Sequence, residues 1–174
     1  MTAISNTPTN QNFLSPLNFK FILKRAPHVN FFVQKISVPS INLPSTYAPN
    51  PLLRIPQYGD HLEFEELSVS FRVDEDLQNY MELQNWLRAV GKQSYKLHSD
   101  LSSNPTISGE SLRSEISLTI LSSAKRPNYE IVFEDAFPIK ISGMSFDSSL
   151  DDVSYMEAEA TFHYTKYEVT KITS

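Results

Sequence analysis

The hydrophobic period of this chain changes from two to helical at one place. In LSVSFRV, Leu67, Val69, Phe71 and Val73 alternate with Ser68, Ser70 and Arg72. That is the pattern of a strand with one face in a core. In LQNYMELQNWLRAVG, Leu77, Tyr80, Leu83, Leu87 and Val90 recur at helical spacing, and Gly91 stands where a left-handed C-cap is wanted. The joint is Asp74-Glu75-Asp76. Asp74 or Asp76 can accept backbone N–H bonds as the helix N-cap, and acids there favour the positive end of the helix dipole. That structural role explains the acidic joint without a metal or an acid–base site, because no partner with ligand spacing lies nearby.

The remaining patterned segments have period two. Phe19, Phe21 and Leu23 oppose Lys20 and Lys24. NFFVQKISVP reads as a second strand ending at Pro39, with RAPHVN as a short hairpin-like link. Ile116, Leu118 and Ile120 share a face, as do Tyr129, Ile131 and Phe133. PIKISGMSF follows, with Gly143 as a bend or bulge. In the last segment Met156, Ala158, Ala160, Phe162 and Tyr164 face inward, and Glu157, Glu159, Thr161 and His163 outward. About seven strands and one helix define a mainly β domain, an antiparallel barrel or sandwich with the helix over an open side. The expected layout is a polar N-terminal arm over 1–16, a single domain over 17–170, a helix over 75–90 and a Ser-rich loop over 92–114.

One segment does not fit a strand or an ordinary loop. Pro39, Pro44, Pro49, Pro51 and Pro56 punctuate an excursion over 39–60 that carries Tyr47, Leu52, Leu53, Arg54, Ile55 and Tyr58. Proline removes ladder donors and stiffens extended backbone. An apolar stretch of this kind reads as a docking element, so these six residues are the candidate subunit interface.

Composition narrows the function. There are no cysteines, which removes disulfides, thiolate nucleophiles and zinc–thiolate sites. With only four glycines, no phosphate-cradling loop is present. The net charge of −5 argues against wrapping nucleic acid, where affinity comes from Lys and Arg. His28, His61, His98 and His163 show no ligand spacing, and no GxSxG elbow accompanies the many serines. Catalytic, cofactor and metal residues are therefore expected to be none. The N-terminus has no signal-peptide pattern and no apolar run is long enough to span a membrane. A monomeric ligand-binding barrel and an enzyme assembled from distant residues stay open as alternatives.

In order along the chain, several pieces resemble one family. A strand ending Ser-Phe-Arg-Val-Asp runs into a helix with Tyr80, Leu83 and Trp86. Then come an alternating strand, Phe137-Pro138-Ile139, Ser145-Phe146-Asp147, and a final strand with Phe162 and Tyr164. Over roughly residues 17–168 the chain resembles the tail tube proteins of contractile-tailed bacteriophages, and the related baseplate protein that initiates the tube. The resemblance implies stacked hexameric rings with neighbours' strands joined into one inner barrel, and an arm at 39–60 reaching a neighbour. It implies sheath, baseplate and tape-measure proteins as partners, and genomic DNA passing through the lumen without specific binding. It implies a place in the virion after assembly in host cytoplasm, with no membrane and no cofactor. Family tubes have an acidic lumen, which makes Glu157 and Glu159 candidate lumen residues. The initiator pattern matches the strand–helix stretch, while the short N-terminal region favours the tube subunit.

Overall fold

A computed structural model describes residues 12–93, 95, 96, 98, 99, 112–147, 149 and 155–172. Most of the expected arm at 1–16 and of the loop at 92–114 lies outside these residues. The elements are β1 (Phe19–Leu23), α1 (Pro27–Phe32), β2 (Val33–Ser37), β3 (Ile41–Asn42), β4 (Ser45–Ala48), β5 (Ile55–Tyr58), β6 (Glu63–Phe64), β7 (Leu67–Arg72), α2 (Gln78–Val90), β8 (Ser114–Leu121), β9 (Pro127–Ile141), β10 (Glu157–His163) and β11 (Lys166–Lys171).

The main sheet is antiparallel, in the order β1-β8-β9-β10-β7-β2, with β11 also paired to β9. Its centre is the 15-residue β9, where the sequence suggests two strands. The Tyr129–Glu134 half pairs with β8 on one side and β11 on the other, and the Phe137–Ile141 half pairs with β10. Asp135 sits between the halves at φ 56°. Opposite it the long final strand breaks at Tyr164-Thr165 into β10 and β11, and Thr165 N–H donates to Glu134 O at 3.0 Å. One strand thus turns the sheet on itself, the usual result of an irregularity in a ladder.

The alternating faces meet inside. Phe21, Leu23, Ile116, Leu118, Ile131 and Phe133 come from one half of the sheet. Leu67, Val69, Phe71, Ala158, Ala160 and Phe162 come from the other, and all are buried. Helix α2 supplies Leu83, Trp86 and Ala89. The Trp86 ring lies 6.1 Å from that of Phe162, and its N–H donates to Leu112 O at 2.9 Å. The apolar face expected from Leu87 and Val90 is rotated, since both are only half buried while Asn79 is fully buried.

Three local expectations change. The PHVNFF stretch is the helix α1, not part of a strand. Pro27 stands at its start, where a fixed φ and missing N–H cost nothing. Consequently β1 and β2 are not a hairpin: β1 pairs with β8 and β2 with β7. Neither Asp74 nor Asp76 caps α2. Leu77 holds the cap position at φ 56°, and no side-chain cap bond forms. Asn79, inside the helix, instead ties its start to the end of β7: its Oδ1 accepts Asp74 N–H at 3.2 Å and its Nδ2 donates to Arg72 O at 2.8 Å. At the other end Gly91 is at φ −73°, and the left-handed residue is Lys92 at φ 53°.

Candidate functional site

The excursion at 39–60 does not run extended. It folds back as a β-ribbon. Ile41-Asn42 pairs with Glu63-Phe64, and Ser45–Ala48 pairs with Ile55–Tyr58. Gly59 N–H donates to Pro44 O at 2.7 Å, where a Cβ would stand 2.5 Å from that oxygen. Only glycine fits at this point of the ribbon. Beyond it the hairpin projects. Leu52 is 90% exposed, Leu53 72% and Tyr58 84%, and Tyr47, Arg54 and Ile55 are exposed too. The structure thus brings the six candidate interface residues together on one protrusion. This short ribbon offers a concentrated apolar surface to water.

The base of the ribbon is anchored. Tyr164 donates to Glu65 O at 2.8 Å and Tyr167 to Pro39 O at 3.2 Å. The Phe64 ring packs edge-on at 6.0 Å from Tyr164 and 5.8 Å from Tyr167, and both tyrosines rest on buried Phe133. Burial, with Tyr167 and Glu65 alongside, pushes the Tyr164 hydroxyl up to about 12. These anchoring tyrosines were not singled out as interface determinants from sequence. Their partners are backbone carbonyls, which leave no mark on residue identity.

Glu157 and Glu159 do face outward from the sheet. They share that face with cations. Glu157 is in register with Arg72, Glu159 with Ser70 and through it Lys35, and Thr161 with both Ser68 and Lys140. Ser68 hydroxyl also donates to the Glu159 carboxylate. The Arg72 guanidinium lies 4.5 Å from the Tyr155 ring centre. The face is polar, rich in small hydroxyls and carries both signs of charge.

No constellation for catalysis gathers among the described residues, and no cluster of three or more His, Cys, Asp or Glu could hold a metal there. His28 approaches Glu82 at 2.5 Å, tying α1 to α2, His98 meets Ala89 O at 3.0 Å, and His163 approaches Glu66 at 3.6 Å. No helix among these residues is long and apolar enough to cross a membrane.

A bent antiparallel sheet with a helix against its core, free strand edges and a projecting apolar ribbon defines a structural assembly domain. The sequence profile of the phage tail tube protein family matches residues 18–170, and the chain belongs to that family. It is a structural tail protein, not an enzyme. No curated relative matches it in sequence. Among solved structures it is similar to the cap that terminates the tube of the anti-feeding prophage. The TM-score is 0.62 at 11% identity, over 99% of this chain and 100% of that one. A chain of the sheath–tube complex of the PVC extracellular contractile injection system gives 0.58 at 12% identity, over 96% and 100%. A chain of the anti-feeding prophage baseplate gives 0.59 at 11%, over 87% and 90%. At these identities the likeness is one of fold.

Proposed function

We propose that the chain is a subunit of the inner tube of a contractile phage tail, polymerising as stacked hexameric rings around the channel for genome delivery. The observation that carries this reading is the family match across the whole β domain. The reading also explains why the ribbon exposes Leu52 and Leu53. The arm at 39–60, through Tyr47, Leu52, Leu53, Arg54, Ile55 and Tyr58, is the subunit contact. The sheath, baseplate and tape-measure proteins are the other partners, in a virion put together in host cytoplasm. Glu157 and Glu159 face the lumen, on a wall whose mixed charge leaves passing DNA without a continuous basic track to grip.

A second reading is the baseplate protein on which the tube starts. A baseplate chain matches the fold as well as a chain of the sheath–tube complex does, 0.59 against 0.58. Negative-stain electron microscopy across a concentration series separates the two. Long tubes with a central hole are expected of the tube subunit, and lone rings of the initiator. A monomer at every concentration, with a small apolar molecule bound inside the domain, would overturn both.

A further inference from the structure

The sheet does not close. Strands β1 and β2 end its main path, with β11 a further edge beside β9, and β1 and β2 are not paired with each other. Leu121 N–H donates to Asn18 O at 3.0 Å, so alternation along an antiparallel ladder turns the backbone groups of Phe19, Phe21 and Leu23 away from β8. Leu23 is provided for: Asn30 of α1 accepts its N–H at 2.8 Å and donates to its carbonyl at 3.3 Å. A side chain thus finishes the edge at that end, and Phe19 and Phe21 remain facing the seam. Beside them the seam widens into a groove of about 360 Å³ lined by Leu14, Pro16, Phe19, Ile36, Val38 and Ile120.

The ribbon carries the complement. Its Gly59–Pro44 bond sets the alternation of the β4–β5 pair. The outward backbone groups are then those of Ser45 and Tyr47 on β4, and of Pro56 and Tyr58 on β5. Pro56 has no N–H, so the β5 edge is blunted. The β4 edge keeps both donors. Its two outward residues are spaced i, i+2, as are Phe19 and Phe21. Laid antiparallel, with Tyr47 opposite Phe19 and Ser45 opposite Phe21, β4 sends the chain beyond it toward Leu14, Pro16 and Val38. That places Leu52 and Leu53 at the apolar groove.

We infer that the β1–β2 seam is the receptor for the ribbon of a second copy, with β4 adding a strand to β1 and the leucine tip filling the groove. This rests on the assembly reading above and names the surface it leaves unassigned. The contact joins two different patches of one chain, so each copy offers one of each and the association runs on from copy to copy. Strand addition supplies backbone hydrogen bonds, and the groove selects the tip side chains.

The chain has no cysteine, so disulfide trapping reports cleanly. Leu52→Cys and Val38→Cys chains, mixed under oxidising conditions, are expected to form a mixed disulfide. The excess over a Leu52→Cys and Asp76→Cys control pair should be on the order of tenfold, since docking raises the effective thiol concentration. Tyr47→Pro, which removes an outward donor and leaves the ribbon's own ladder intact, should abolish the excess. A chain carrying both Val38→Cys and Leu52→Cys should give a ladder of multimers. A closed monomer from that chain would overturn the proposal by showing the ribbon in its own groove. Rings or tubes without the mixed disulfide would overturn it and leave the assembly reading standing. A persistent monomer with no disulfide would overturn both.

Discussion

Tyr164 and Glu65 are joined by a 2.8 Å hydrogen bond from a phenol to a backbone carbonyl. Glu65 lies just past the return strand of the ribbon, and Tyr164 lies at the break between β10 and β11. Tyr167 holds the outgoing end at Pro39. The direction of the projecting arm is therefore set by two phenols, one at the β10–β11 break and one on β11. Tyr164→Phe keeps the ring packing and loses the bond. It should cost about 1 kcal/mol and speed amide exchange in β3 and β6, read by hydrogen–deuterium exchange. Unchanged exchange there would reject the anchor.

The same hydroxyl gives stability a pH dependence. Its folded value is about 12 against an ordinary 10.0. The folded state holds the proton more tightly, so this contribution is complete below pH 10 and is lost as pH rises toward 12. Denaturant midpoints measured across that window should fall, and the fall should be shallower in Tyr164→Phe.

Asn79 is expected to matter more than the acids before it. Asn79→Ala strands Asp74 N–H and Arg72 O at a buried site and should cost about 1–3 kcal/mol. Asp74→Ala and Asp76→Ala should stay within about 0.5 kcal/mol of the parent. Urea unfolding followed by Trp86, the sole tryptophan, compares the three. A larger loss at Asp74 or Asp76 would restore the cap role.

Gly59→Ala puts a methyl 2.5 Å from Pro44 O and should break the ribbon without touching the core. The expected outcome is faster exchange over β4 and β5, a nearly unchanged thermal midpoint and weakened assembly.

Leu52→Asp with Leu53→Asp should leave a folded monomer. Both side chains are largely exposed in the single chain, so stability should move by no more than about 0.5 kcal/mol for each change. Sedimentation velocity and electron microscopy read the association. Normal rings or tubes from this variant would remove the arm from the interface.

Much of the fold was legible in the residues. The strand faces at Leu67–Phe71, Ile116–Ile120 and Ala158–Phe162 read correctly because alternation is local: each side chain records which way its own residue faces. The helix was legible for the same reason, though its buried face centres on Asn79, Leu83, Trp86 and Ala89 rather than on Leu87 and Val90. The arm read as an exposed apolar element, but its folding back as a ribbon did not show, because five prolines argue for extended backbone in either case.

Residue pattern alone is enough for a mainly β domain, one principal helix, an apolar proline-rich arm, the absence of thiol chemistry and the family resemblance. Only the folded chain shows which strands pair, that β1 and β2 stay apart, that β9 bends the sheet, and that Tyr164 and Tyr167 hold the arm. Pairing is written in backbone N–H and C=O groups. These are nearly the same in every residue, so only the register fixed by long-range packing selects their partners.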